Sequence, residues 1–253
     1  MTQYDHIYIS PHLDDVVLSC GGTVSQQTAA GETVLVITAF AGDPAPGSSL
    51  SPFAQQLHTR WDTPEDAAAT RRQEDLAALQ LLGAAGEHWS YADCIYRQTP
   101  AGDFSYDTEE SLWGDIHPAE ESLVCEIVQR ILALPLARAG AFYVPLGVGD
   151  HVDHSIIHAA AIQCGRPVVF YEDFPYSRDP DTILRKLTSG RWKSYRTILT
   201  EKALELKITA IGCYRSQLST FWENREAMEA DIRESSRRVG IGRPAERFWH
   251  QEL

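Results

Sequence analysis

Two short polar clusters carry the residue types that could do chemistry in this chain. Each follows an apolar run and precedes a segment of helical character, and together they comprise His12, Asp14, Asp15, His151, Asp153 and His154. A catalytic zinc ion takes three nitrogen or oxygen ligands from the protein and leaves a fourth position for water or substrate. Two imidazoles and one carboxylate meet that need. A second carboxylate can then accept a proton, and a third imidazole can stabilise an oxyanion or protonate a leaving group.

Each cluster also has a simpler structural interpretation. Asp14, Asp15 or Asp153 could cap the helix that follows, because Asp is a favoured N-cap residue. A cap needs only one carboxylate, so capping explains neither the second carboxylate nor the histidines. His154 and His158 are four residues apart and could alternatively bind a metal on one helical face. The remaining histidines are isolated and are interpreted as structural: His6, His58, His88, His117 and His250.

The elements that must position both clusters alternate between strands and helices. The apolar, β-branched runs predict strands over 7–10, 33–40, 88–91, 141–146, 167–171 and 191–199. Helices are predicted over 16–30, 67–82, 119–134, 155–164, 200–218 and 221–238. Ligands gather at the carboxyl ends of the strands in an open α/β sheet, so the two clusters are expected to meet there. The pattern favours an α/β fold and a single domain over residues 1–253.

Two segments do not fit this alternation. Residues 41–64 are rich in Gly, Pro and Ser and form a long predicted loop, a candidate active-site wall or lid. Residues 93–117 mix aromatic and acidic side chains and receive no assignment. Four tryptophans could stack on a sugar face but are interpreted first as core residues: Trp61, Trp89, Trp113 and Trp222.

Composition narrows the class of partner. The chain has 253 residues and a formal net charge of -13, which disfavours binding to nucleic acid or to an anionic membrane surface. No apolar stretch has membrane-spanning length, and the first residues lack the basic start and apolar block of a secretory signal, so we expect a cytoplasmic protein. The five cysteines are scattered without a Cys-x-x-Cys pair, which predicts neither a disulfide framework nor a cysteine-ligated zinc. The sequence leaves open whether the protein forms a homo-oligomer.

The motifs resemble those of a known family. Pro11 to Asp15 resembles the His-Pro-Asp-Asp motif of the LmbE-like, or PIG-L, de-N-acetylases, and His151 to His154 resembles that family's later His-x-Asp-His motif. Arg72 to Gly83 and Lys207 to Gln217 are similar to two of its helices. The resemblance implies a Rossmann-like three-layer sandwich with a mostly parallel central sheet. It also implies a zinc-dependent hydrolase that removes an N-acetyl group from an N-acetylglucosamine-type glycoside or a related small N-acyl amine.

The resemblance further implies a role for each matching residue. The implied ligands of one zinc ion per chain are His12, Asp15 and His154, although such ligands also accept other divalent metals. Asp14 would be the general base, His151 would stabilise the tetrahedral intermediate or protonate the amine, and Asp153 would orient His151. Arg72 and Gln217 are candidates for substrate binding. The substrate would be a small N-acetylated sugar.

The chain departs from the family pattern at two places, and other functions stay open. Leu13 replaces the usual proline, and Gly149 and Asp150 stand where some members carry Tyr or Arg. A haloacid-dehalogenase-like phosphatase would need two Asp separated by one residue, but Val16 occupies the second position. A non-catalytic sugar- or nucleotide-binding module on the same fold is the main alternative. The absence of Gly-x-Gly-x-x-Gly after the first strand disfavours dinucleotide binding.

Overall fold

The structure is a computed structural model that describes residues 2–45, 47–61, 67–188 and 190–252. Within these residues, the strands are β1 (Tyr4–Ser10), β2 (Val34–Thr38), β3 (Ala85–His88), β4 (Leu136–Pro145), β5 (Val169–Tyr171), β6 (Arg191–Ile198) and β7 (Ala245–Glu252). They form one seven-stranded sheet in the order β3-β2-β1-β4-β5-β7-β6. The first five strands of that order are parallel, and β7 pairs antiparallel with both β5 and β6. The predicted α/β fold with a mostly parallel sheet is confirmed.

Helices cover both faces of the sheet. They are α1 (Asp15–Ala29), α2 (Pro52–Arg60), α3 (Ala67–Leu82), α4 (Glu121–Leu132), α5 (Val152–Gln163), α6 (Pro180–Lys186), α7 (Glu201–Ile211), α8 (Arg215–Phe221) and α9 (Arg225–Val239). Side chains of α1, α3, α7 and α9 pack with Tyr8 and Val36 on one face. Those of α4 and α5 pack with Ile7 and Ile9 on the other. Because successive strand residues point to opposite faces, a strand buried on both sides reads as one continuous apolar run.

The predicted loop over 41–64 is wrong in its middle, where the chain forms helix α2. Ser51 caps this helix, because its hydroxyl accepts a hydrogen bond from the backbone N–H of Ala54 at 3.0 Å, and Pro52 follows at the first helical position. Ser followed by Pro is a helix-start signal, which the Gly, Pro and Ser content of the segment obscured. Residues 46 and 62–64 of the predicted loop lie outside the described residues.

Several other boundaries differ from the sequence predictions. Strand β7 and helix α6 were not predicted; β7 alternates polar side chains around the buried Phe248 and lacks a long apolar run. The predicted helix over 200–218 divides at Gly212 into α7 and α8. The helix predicted from 221 begins at Arg225, where Asn224 provides the cap. Strand β3 lies three residues before the predicted strand over 88–91.

The unassigned segment over 93–117 contains two short 3-10 helices, Cys94–Tyr96 and Glu110–Leu112, and packs against α2. Phe53 and Leu57 of α2 join Tyr106 and Leu112 in a separate apolar cluster beside the sheet. This cluster forms a wall next to the carboxyl edge of β1 and β4. Among the described helices, none combines the length and apolar character needed to cross a bilayer.

Candidate metal centre and active-site cleft

The first polar cluster lies in the tight turn between β1 and α1. Ser10 Oγ accepts a hydrogen bond from the backbone N–H of Val16 at 3.1 Å, and Asp15 Oδ2 accepts one from the N–H of His12 at 2.7 Å. Asp14 occupies the N-cap position of α1, but its side chain makes no capping bond. The Asp14 carboxylate lines a cleft instead. Capping therefore does not explain Asp14.

The second cluster lies in the turn between β4 and α5. Gly147 and Gly149 have φ of 79° and 91°, a backbone region that favours glycine, and they allow the chain to reverse sharply before the helix. His151 is the N-cap residue of α5, and its Nδ1 accepts a hydrogen bond from the N–H of Asp153 at 3.3 Å. In a neutral ring the proton then lies on Nε2, so His151 presents an N–H donor to the cleft that it lines.

Strands β1 and β4 are neighbours, so the two clusters meet at one edge of the sheet. Asp15 Oδ2 lies 3.3 Å from His12 Nδ1 and 3.3 Å from His154 Nε2. Ligands around a tetrahedral zinc ion are about 3.4 Å apart, since each lies about 2.1 Å from the metal. His154 Nε2 is buried and has no hydrogen-bond partner among the described residues. The donor atoms therefore fit a zinc ion in type, spacing and availability.

Each of the two imidazoles is held by a further carboxylate on its far nitrogen. His12 Nε2 lies 2.9 Å from Asp153 Oδ2, and His154 Nδ1 lies 2.6 Å from Asp173 Oδ1. Such a carboxylate fixes the tautomer and orients the metal-binding nitrogen. Sequence reasoning missed Asp173, although it follows β5 directly, as the first cluster follows β1.

Asp153 has different contacts from those expected. Its carboxylate contacts His12 and forms an ion pair with Arg97, whose Nη2 is 2.6 Å from Asp153 Oδ1. Its link to His151 runs through the backbone N–H. Arg97 in turn donates two hydrogen bonds to Glu120. This buried ionic network therefore joins the segment that follows β3 to His12 and to the start of α5.

Other ligand groupings are close in space. The ligand atoms of His12, His151 and His154 lie within 4.8 Å of one another, and so do those of Cys94, His151 and Asp153. None of these groupings among the described residues includes His158, so the alternative pairing of His154 with His158 is not supported; His158 Nδ1 lies 3.2 Å from the Pro145 carbonyl oxygen.

Burial changes the acidity of two groups in the cluster. Burial, together with the negative charge of Asp15, raises the pKa of Asp14 to about 7. A carboxylate with a pKa near the working pH is suited to general base catalysis. Burial and the neighbouring His12 hold the pKa of His151 well below its ordinary value, so this ring is neutral. Asp14 can therefore act as a proton acceptor and His151 as a neutral hydrogen-bond donor in the same cleft.

The cluster opens into a cleft of about 200 Å³. Arg71 and Asp93 line it, with Arg71 Nη1 3.8 Å from Asp93 Oδ2 and the guanidinium 5.0 Å from the ring centre of Trp61. The buried Nε of Arg71 has no hydrogen-bond partner among the described residues. Gln217, one of the two predicted substrate contacts, also lines the cleft. The other, Arg72, is not part of the lining.

Arg72 faces away from the cleft because of the helical rotation between adjacent residues of α3. It donates hydrogen bonds to the Ala41 carbonyl at 2.7 Å and to the Asp43 carboxylate at 3.0 Å. These bonds hold the segment that follows β2 against α3. Trp61 and Trp113 line the cleft, whereas Trp89 and Trp222 are core residues.

The fold and site are typical of hydrolases that hold a metal ion at the carboxyl edge of an α/β sheet. The family model described as PIG-L, GlcNAc-PI de-N-acetylase, matches residues 7–164. The chain therefore belongs to the PIG-L de-N-acetylase family and is an N-deacetylase, a hydrolase of amide bonds. The predicted family and enzyme class are confirmed.

Characterised relatives cover nearly the whole chain. A 2'-N-acetylparomamine deacetylase of Niallia circulans is 30% identical over 97% of this chain and 90% of its own length. A 2'-N-acetylparomamine deacetylase of Streptomyces fradiae is 31% identical over 83% of this chain and 72% of its own length. The crystal structure of a zinc-inhibited form of teicoplanin deacetylase Orf2 has a TM-score of 0.81 and 28% identity, covering 96% of both chains.

Proposed function

We propose that the chain is a single-domain, zinc-dependent deacetylase that acts on an N-acetylglucosamine-type sugar within a larger glycoside. The observation that carries the zinc site is the buried, unpartnered Nε2 of His154, 3.3 Å from Asp15 Oδ2. The names of the relatives support the substrate class, since they describe deacetylases of 2'-N-acetylparomamine and of teicoplanin.

His12, Asp15 and His154 would hold one zinc ion per chain. When bound, zinc supplies a Lewis acid that polarises the amide carbonyl and makes water more acidic. Asp173 and Asp153 keep the two imidazoles in the tautomer that leaves a lone pair for the metal. The same ligand set accepts other divalent ions, so the assignment to zinc also depends on the family.

Asp14 is the proposed general base. Its carboxylate lines the cleft next to Asp15 and forms no hydrogen bond to another described residue, so it is available to accept a proton. It takes this proton from water as the oxygen attacks the acetamide carbon. It then gives the proton to the leaving nitrogen as the C–N bond breaks, so that the products are acetate and the free amine. A pKa of about 7 suits both transfers.

His151 is the proposed donor to the carbonyl oxygen. With Nδ1 occupied by the N–H of Asp153, Nε2–H is the remaining donor of a ring that lines the cleft. A fixed N–H donor stabilises the negative charge that develops on oxygen during attack. Because the ring is neutral, this donor binds the substrate amide without repelling the metal.

The cleft walls support a sugar ring with a substituent. Arg71 and Asp93 place a guanidinium and a carboxylate within reach of sugar hydroxyls, and Gln217 adds an amide. Trp61 and Trp113 offer aromatic faces, which suit the apolar face of a sugar.

The test is amine release from N-acetylglucosaminides of increasing size, including 2'-N-acetylparomamine, with acetate measured in parallel. We expect turnover that a chelator abolishes and that zinc restores. Full activity in metal-free enzyme would exclude the proposed zinc role. Tight binding of these glycosides without release of amine from any of them would favour the binding-module alternative.

A further inference from the structure

Tyr176 lines the cleft, and the proposed mechanism does not use its hydroxyl. It begins a 3-10 turn over Tyr176–Arg178, three residues after Asp173. Its ring centre lies 5.7 Å from that of His154 and 5.4 Å from that of Trp113. Tyr176 lines the cleft, and the structure shows no hydrogen bond from its phenolic oxygen to any described residue. Its side chain is only partly buried, so the hydroxyl is free to bond a ligand in the cleft.

The turn that carries Tyr176 is fixed to the residue that orients His154. The carbonyl of Asp173 accepts a hydrogen bond from the N–H of Ser177 at 2.9 Å, and its Oδ2 accepts one from the N–H of Val148 at 2.9 Å. The Tyr176 carbonyl accepts a further bond from Thr182 Oγ1 at 3.2 Å. These bonds fix the backbone of the turn that carries Tyr176, so the turn needs little reordering before the phenol can act.

Gly149 makes room for this ring. A Cβ at position 149 would lie 2.9 Å from Cβ and Cγ of Tyr176, closer than real contacts allow, and the φ of 91° also favours glycine. The residue two positions before His151 therefore contributes no side chain to the cleft. The ring of Tyr176, from the segment that follows β5, lies against Gly149 instead.

We propose that Tyr176 is a catalytic residue whose phenolic O–H donates a hydrogen bond to the acetamide carbonyl oxygen as attack proceeds. This inference rests on the proposed deacetylase function. A phenol is an uncharged donor at neutral pH, so it can approach the amide beside a metal ion without electrostatic penalty. With His151 as the other donor, the oxygen receives two fixed hydrogen bonds, and such donors act where charge develops in the transition state.

The test is the Tyr176→Phe variant, which removes only the hydroxyl. We expect kcat to fall by about 10²–10³-fold, as when one oxyanion donor is lost. We expect KM, zinc content and thermal midpoint to stay at wild-type values, because the ring packing is kept. Tyr91→Phe is the matched control: Tyr91 packs on Phe40 and Trp89 and does not line the cleft. This control should match the wild type in every measurement.

The outcomes separate the inference from the function on which it rests. An active wild type with an unchanged kcat in Tyr176→Phe would overturn the inference alone. A raised KM with unchanged kcat would also overturn it, because the hydroxyl would then bind the sugar equally in ground and transition states. Loss of zinc or of thermal stability would indicate a structural hydroxyl. A wild type with no amide hydrolysis would overturn the inference and the proposed function together.

Discussion

Two buried polar clusters contact helix α1, and they differ in how many of their polar atoms form hydrogen bonds. In the first, halfway along the helix, the Glu246 carboxylate accepts hydrogen bonds from the N–H groups of Gly22 and Thr23, from the Thr23 hydroxyl and from Lys207 Nζ, at 2.5–3.0 Å. In the second, at the start of the helix, His154 Nε2 and the Asp14 carboxylate have no hydrogen-bond partner among the described residues.

Burial does not distinguish the two clusters, since Glu246 is 5% exposed and Asp14 is 6% exposed. The clusters differ in whether their buried polar atoms have hydrogen-bond partners. A buried polar atom without a partner costs about 1–3 kcal/mol, and the unpartnered His154 nitrogen lies where a metal ligand is proposed. The satisfied cluster joins α1 to α7 and β7 and stabilises the fold, whereas the unsatisfied one marks the site.

The strongest challenge to this comparison is Asp14→Asn. We expect kcat to fall by about 10²–10⁴-fold, because the general base is lost. The thermal midpoint should change little, because no hydrogen bond to the protein is removed. Steady-state kinetics and thermal unfolding of the same preparation measure both. Retained turnover would show that another group accepts the proton.

The converse variant is Glu246→Leu, which should leave the chemistry intact and weaken the fold. Removing the carboxylate leaves the Lys207 charge buried without its partner, and breaking such a pair costs about 3–5 kcal/mol of unfolding free energy. Denaturant unfolding gives the stability, and kcat per folded molecule should stay near the wild-type value. A large loss of kcat at unchanged stability would erase the contrast between the clusters.

A smaller effect is expected from Arg71→Leu in the cleft wall. A hydrogen bond from a charged group to substrate contributes about 1.5–3 kcal/mol, so KM should rise by about 10–100-fold, with a smaller change in kcat. Initial rates over a range of glycoside concentrations measure the split. An unchanged KM would remove Arg71 from the substrate contacts.

The adjacent Arg72→Leu provides the matched control and the smallest expected effect. Its ion pair with Asp43 is solvent-exposed and contributes at most about 1 kcal/mol to the unfolding free energy, and the variant also loses the hydrogen bond to the Ala41 carbonyl. KM should stay at the wild-type value because Arg72 does not line the cleft. A KM that rises as in Arg71→Leu would mean that the substrate extends beyond the cleft toward Asp43.

The meeting of the two motifs could be predicted from the sequence, but the fine structure of the site could not. The apolar runs before His12 and His151 place both motifs at the carboxyl ends of strands, and parallel neighbours bring those ends together. Asp173 follows the same rule after β5. Its partner, however, becomes identifiable only once β5 is known to lie beside β4.

The choice between Arg71 and Arg72 depends on helix rotation, which composition does not supply. Helix α3 carries charged residues around much of its circumference, so no clear apolar stripe shows which arginine turns inward. Strand β7 was missed for a related reason: its stability comes from antiparallel pairing along β6, with Phe248 as its main buried side chain. Tertiary contacts decide both features.

The most direct test of the metal site is the zinc content of the wild type, of His154→Ala and of His158→Ala. His158 lies one helical turn after His154 and bonds the Pro145 carbonyl, so it controls for loss of a nearby histidine. We predict about one zinc per chain in the wild type and in His158→Ala, and loss of zinc in His154→Ala. Zinc retained by His154→Ala, or a wild type that binds none after reconstitution, would contradict the assignment of the unpartnered His154 nitrogen as a metal ligand.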